Sequence, residues 1–274
     1  MIVDTRRLFC RLLRTFEIDT VCDVGSMDGS DALRFRRVLP NAAIVALEPN
    51  PRNFALMQAD ERLHRRSIRI LPLAASDRNS EAPFFVVDAE YEAPLFVLDA
   101  RVAKGNLARR GMSSLHRRAD GTLIADVVQV RMTRLDDLLA SSAGARIALW
   151  IDTEGMAYEA VSGASGVLPR TQMLHVEAET IPCIGAEQRL FPDVERFLIE
   201  AGFSLLATDQ PISSMQLNAL FVRAELLATR AAEIRWHVAS ERLRRRVKSA
   251  VRPLLPLRLR RYLAARHANA VHTV

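Results

Sequence analysis

Five carboxylates stand at or just past the ends of short apolar runs, where a folded chain can aim them at a ligand. Asp23 closes "VCDV" with Val24, Glu48 follows "AIVAL", Asp152 follows "IALWI" with Glu154 two residues on, and Glu177 follows "MLHV". Carboxylates so placed accept hydrogen bonds from hydroxyls and attract cations. The first run leads into Gly25-Ser26-Met27-Asp28-Gly29, a glycine turn with acids on both sides.

That turn separates two cofactor classes. Glu48 lies about twenty residues beyond it, the place of a carboxylate that binds ribose hydroxyls in doubly wound sheets. A dinucleotide site needs G-x-G-x-x-G, so that backbone can close on a pyrophosphate at a helix N-terminus. Here the spacing is Gly25-x-x-x-Gly29, and Asp23 and Asp28 would repel phosphate. A ligand with a sulfonium and an ammonium would be attracted, which favours S-adenosylmethionine (SAM) over NAD. The chain also lacks a Tyr-x-x-x-Lys pair.

These residues need a scaffold. Residues 4–16 carry an apolar stripe of Leu8, Phe9, Leu12, Leu13 and Phe16 and read as a helix. Val21–Val24, Ala43–Leu47 and Ile68–Leu73 read as buried strands, with helices over Asp31–Val38 and Asn53–Arg62 between them. That alternation predicts parallel βαβ units. Further strands are expected at Pro83–Val87, Leu95–Leu98, Val127–Met132, Ile147–Ile151 and Met173–Val176. Short helices are expected at Leu135–Ala140, Tyr158–Ser162 and Val194–Ala201. Phe203–Ala207 and Asn218–Val222 read as an antiparallel pair. The expected fold is α/β: a Rossmann-like, doubly wound, mostly parallel sheet with a terminal antiparallel hairpin. Ligands bind such sheets at the C-terminal strand ends. The candidate list is therefore Asp23, Gly25, Ser26, Asp28, Gly29, Glu48 and Pro49, then Ala75, Ser76 and Asp77 after the third strand, then Asp152, Glu154 and Glu177.

The 274 residues suit one large domain with appendages. The reading divides them into an N-terminal helix (1–17), a main domain (18–225) with an irregular insertion near 88–125, and a basic helical tail (226–274). No apolar window is long enough for a membrane span, and the N-terminus lacks a signal-peptide core. Cys10, Cys22 and Cys183 show no CxxC spacing, so disulfides are not expected. A cytoplasmic protein is expected. The net charge of +6 hides an asymmetry. Residues 240–266 hold ten basic side chains against Glu241, a net +9, which leaves −3 for the rest (+6 less +9).

The stretches "DVGSMDGSD" and "VALEPNPRNFALM" resemble the start of a class I SAM-dependent methyltransferase. "SSL" at 113–115, "VQVRMTRLDDLL", "IALWIDTEGMAYEAVSGASGVL" and "LHVEAE" are similar in order and spacing to the FkbM family of methyltransferases, over roughly residues 18–222. Arg134 inside the first of these motifs, Met156-Ala157-Tyr158 after Gly155, and Ser26-Met27-Asp28 in the glycine turn depart from the family pattern. The resemblance implies the class I methyltransferase fold, SAM as cofactor, and O-methylation of a hydroxyl on a small molecule, saccharide or glycolipid. An alcohol that attacks the SAM methyl must lose a proton, and a carboxylate near the fourth strand end can take it. Asp152 is the first candidate, with Glu154 and Glu177 as neighbours. Three carboxylates together suit a divalent cation, but no His joins them at a ligand spacing, so no metal is assigned.

Plainer readings stand beside these. Asp23 can simply cap the turn, and Asp77 can cap a loop. Asp136 and Asp137 suit a helix start. His175, inside an apolar run, reads as a core residue, and His116-Arg117-Arg118 reads as a solvated loop rather than an anion site. In the tail, Leu243, Val247 and Val251 share a helical face among arginines. That pattern suits an anionic membrane at its inner face or a helix that stays solvated. Tyr262 is the tail's only aromatic residue after position 240, so nucleic acid is disfavoured. Two alternatives to the enzyme remain at this point: a non-catalytic binding or recruitment protein on the same scaffold, and a nucleotide-sugar oxidoreductase.

Overall fold

A computed structural model describes residues 1–87, 111–118, 122–142 and 144–251. The strand expected at Leu95–Leu98 and the tail beyond 251 lie outside the described residues. Asp4 caps α1 (Thr5–Thr15) by accepting from the Arg7 amide at 3.0 Å. Its stripe of Leu8, Phe9, Leu12 and Leu13 is fully buried, worth roughly 1.5–3 kcal/mol for each side chain. β1 (Thr20–Val24), α2 (Ser30–Val38) and β2 (Ala43–Leu47) follow as expected.

The single helix expected over Asn53–Arg62 is two, α3 (Pro51–Ala59) and α4 (Glu61–Arg65). Asp60 leaves helical geometry between them, and its side chain accepts from the Arg62 amide to start the second. The strand expected over Ile68–Leu73 is also divided, into β3 (Ile68–Leu71) and β4 (Leu73–Ala75). Pro72 has no N–H to give to a ladder, and there the chain crosses from one sheet to another.

The remaining elements are β5 (Ser80–Val87), β6 (Ile124–Thr133), α5 (Leu135–Leu138), β7 (Ile147–Ile151), α6 (Ala157–Ser162), β8 (Thr171–Glu179), α7 (Phe191–Glu200), β9 (Phe203–Thr208), β10 (Gln216–Arg223), α8 (Ala224–Thr229) and α9 (Ala231–Val251). The main sheet has the order β3-β2-β1-β7-β8-β10-β9. β10 runs antiparallel to β8 and β9, while the other pairings are parallel. This is the doubly wound sheet with a terminal hairpin that the sequence predicts. A second sheet, β4-β6-β5, was not foreseen.

Helices cover both faces of the main sheet. α5, α6 and α7 bury Leu135, Ala160, Val194 and Leu198 on one face. α1, α2 and α9 bury Phe9, Phe35 and Ile234 on the other. His175 lies there too, as the core reading expects. It is stacked on Trp150 at 3.6 Å, and its Nε2 lies 3.0 Å from Thr5 Oγ1, which ties α1 to the sheet. Among the described residues no helix is long and apolar enough to cross a membrane.

Candidate active site

The C-terminal ends of β1, β2, β7 and β8 open into a cavity of about 270 Å³. Asp23, Gly25, Ser26, Asp28, Glu48, Pro49, Ala75, Asp152, Glu154 and Glu177 all line it. Gly29, Ser76 and Asp77 are not among its wall residues. Gly29 starts α2 in left-handed geometry, φ +76°, against the Leu63 side chain. Ser76 donates its amide to the Thr133 carbonyl. Asp77 faces outward to Arg78 at 3.1 Å, and its carbonyl accepts from Arg134. Arg134, the departure in the first motif, thus joins two loops.

The glycine turn has a packing reason. Gly25 has φ +82°, and a Cβ built on it would stand 1.7 Å from the Asp152 carbonyl oxygen. Two strand-end loops cross there at backbone contact. Ser26 and Met27 link two acids. Ser26 Oγ donates to Asp23 Oδ2 at 2.6 Å, and the Met27 amide donates to Glu48 Oε2 at 2.7 Å. Met27 adopts φ +53° to do so. Glu48 Oε1 accepts from the Asn50 amide at 2.9 Å, so both of its oxygens are pinned at the strand end. Asp28 accepts from the Ser30 amide and caps α2.

Asp23 is buried, and its Oδ1 has no partner. Burial first, then the charges of Asp152 and Asp28, push its carboxyl up to about 7. A buried acceptor that lacks a partner at a cavity wall is costly unless a ligand completes it.

Asp152, Glu154 and Glu177 converge beside Asp23, at the C-terminal ends of β7 and β8. One oxygen from each lies within 4.8 Å of the others, close enough for one divalent cation. Asp152 and Glu177 share a side-chain hydrogen bond that raises Glu177 and lowers Asp152. Burial raises both acids overall, Glu177 further. The charge of Asp152 and that hydrogen bond both favour the neutral form of Glu177. Burial pushes Glu154 up to about 8, against the pull of Arg118. Arg118 pairs with Glu154 at 3.1 Å, with its side chain only 7% exposed.

The Arg118 contact corrects the solvated-loop reading for that residue, while Arg117 is exposed as that reading expects. His116 is half-buried and packed against Gly155 and Gly185. Ser114 Oγ donates to the Glu154 carbonyl at 2.6 Å, and Ser113 and Leu115 line the cavity. Asp136 and Asp137 lie in the first turn of α5, as read, and Asp136 also accepts from the Gly166 and Val167 amides at 2.8 and 3.0 Å.

Arg6 was missed altogether. It reaches from α1 to the cavity wall, with its guanidinium over the Trp150 ring at 5.5 Å and 3.6 Å from Asp31. No local signal marks it, because only the packing of α1 brings it there. It is the only basic side chain among the described wall residues.

A cation-attracting wall, a pinned strand-end carboxylate and one guanidinium fit SAM, which carries a sulfonium, an ammonium, a ribose diol and a carboxylate. The family model for the methyltransferase FkbM domain matches residues 23–205. The 2-O-methyltransferase NoeI of Sinorhizobium fredii is 29% identical over 160 residues, which cover 57% of this chain and 62% of that protein. The alignment thus spans less than two thirds of that relative. Among solved structures, a methyltransferase FkbM from Methylobacillus flagellatus is 12% identical with a TM-score of 0.46, covering 75% of this chain and 44% of that one. The N-terminal domain of EvdMO1 with SAH bound is 12% identical with a TM-score of 0.39, covering 80% of this chain and 79% of that one. The family match spans well over half of the sequence, and the chain belongs to the FkbM methyltransferase family, with S-adenosylmethionine as its cofactor.

Proposed function

We propose that the chain is an O-methyltransferase acting on a hydroxyl of a small molecule or saccharide. The observation that carries this reading is that one cavity is lined both by the cofactor-type carboxylates Asp23 and Glu48 and by the Asp152–Glu177 pair. The 2-O-methyltransferase named above supports a hydroxyl acceptor. When bound, SAM supplies an electrophilic methyl. The chain's own residues do the rest. Glu48 would accept from the ribose hydroxyls, Asp23 Oδ1 would meet the positive end, and Arg6 would pair with the carboxylate. Asp152 would orient the acceptor hydroxyl and take its proton. Methyl transfer from labelled SAM into saccharide extracts tests the activity. Cofactor binding without any labelled product would instead favour a recruitment protein.

Glu48→Ala and Arg6→Met are each expected to weaken binding of the demethylated cofactor, S-adenosylhomocysteine (SAH), by tenfold or more in calorimetry. Unchanged affinity in both would remove these assignments.

Binding of SAM should also depend on pH through Asp23. Below about 7 its carboxyl is neutral, and above that it is ionised and attracts the ligand cation. Affinity should therefore rise by up to roughly tenfold from pH 6 to pH 8. Asp23→Asn should flatten that rise. The raised pKa also means that the ligand-free protein loses stability as pH climbs through 7, so the thermal shift given by SAM should grow with pH.

A further inference from the structure

We propose that α9 and the arginine groove beside it form a docking surface for an anionic phospholipid bilayer. Ile234 and Val238 face the protein and are 2% and 8% exposed. Trp236, Leu243, Val247 and Val251 fall at i, i+7, i+11 and i+15, one helical stripe on the opposite side. They are 64%, 64%, 51% and 43% exposed. A helix that buries one apolar edge and offers a second one to solvent has a face still to cover.

Charge says what covers it. Arg235, Arg242, Arg244 and Arg246 are exposed beside the stripe. On the flank where α9 packs on α1, a groove of about 780 Å³ runs past Arg7, Arg11, Arg14, Arg34, Trp236 and His237, with Asp4 as its one lining acid among the described residues. Glu241 pairs with Arg7 and Arg11 at 3.4 and 3.0 Å, and Asp31 pairs with Arg34. Arg14 donates to the Val38 carbonyl, which does not cancel its charge. Glu233, exposed on α9, is paired with Arg230, so the surface remains cationic with an apolar centre, and a tryptophan belongs to both parts. That combination fits lipid headgroups over acyl chains, and Trp is at home at that depth.

The other occupants fit less well. A second copy docked on the same face would bring arginine rows against each other across a two-fold axis. A nucleic-acid backbone would meet the arginines but leave Leu243, Val247 and Val251 uncovered. The far end of α9 is also tied to the sheet edge that carries the cavity. Arg245 donates to the Asp209 carbonyl at 3.2 Å, and that loop leads into Gln216 on the cavity wall.

The test mixes the full chain with vesicles of phosphatidylcholine alone or with phosphatidylglycerol added. Trp150 is buried, so Trp236 reports docking by fluorescence. Expected are at least tenfold tighter flotation with the anionic vesicles, a blue shift in emission, and loss of both in L243S/V247S and in R242E/R246E. Both variants sit on exposed positions and should keep the wild-type melting temperature and SAH affinity. Equal partition to both vesicle types, or binding unchanged in both variants, would overturn the proposal. So would a dimer in sedimentation that L243S/V247S abolishes, or duplex DNA bound more tightly than the anionic vesicles.

Discussion

Gly25→Ala is expected to lower stability by about 3 kcal/mol and to abolish SAH binding. Two causes add. The residue sits at φ +82°, where a side chain is strained. The new Cβ would also fall 1.7 Å from the Asp152 carbonyl oxygen, so the loops after β1 and β7 must part. Overpacking of that kind costs about 1–3 kcal/mol beyond the strain. For a chain of this size the melting temperature should fall by roughly 6–12 °C. Gly144→Ala is the internal control. It has φ +77° with nothing within 4 Å of its added Cβ, so it isolates the backbone cost. Thermal unfolding of the two variants side by side checks the argument. If Gly25→Ala were no worse than Gly144→Ala, the crossing of the two loops would not be what requires the glycine.

Asp152→Asn should reduce kcat by about 10²–10⁴ while SAH affinity stays within a few-fold of wild type. The amide keeps the shape of the side chain but cannot accept a proton. It also removes the Asp152 charge that raises Glu177, so Glu177 should ionise at lower pH. The pH profile of any residual activity should therefore move, which a purely structural role for Asp152 would not produce. Single-turnover methyl transfer and calorimetry on the same preparation separate chemistry from binding. A kcat within threefold of wild type would take the proton-accepting role away from Asp152.

The strand ends were legible because a parallel strand buried on both faces is written as a continuous apolar run. "AIVAL" and "IALWI" became β2 and β7 with the expected bounds, which fixed Glu48 and Asp152 at one edge of the sheet. Asp23 and the glycine turn followed from the same logic. The oddity of Ser26-Met27 resolves into a coupling device, since one residue bonds Asp23 and the other Glu48. What was not legible depended on distant parts of the chain. Arg6 and Arg118 enter the site only through the packing of α1 and the placement of residues 111–118. Ser76 and Asp77 follow the third run in sequence. Pro72 moves the chain into the second sheet, which directs them to Thr133 and Arg78 instead of the cavity. The apolar stripe on α9 was partly visible as Leu243, Val247 and Val251. Trp236 lies inside the expected helical tail but outside the arginine-rich stretch, and the unbroken helix Ala231–Val251 puts it on the same stripe.

The carboxylate-lined cavity should hold a cationic nucleoside cofactor and reject a pyrophosphate. Titration of the purified chain with SAM and, separately, with NAD tests this most directly. Saturable one-to-one heat is expected with SAM, weakened in Glu48→Ala, and none with NAD. Heat with NAD and none with SAM would contradict that assignment.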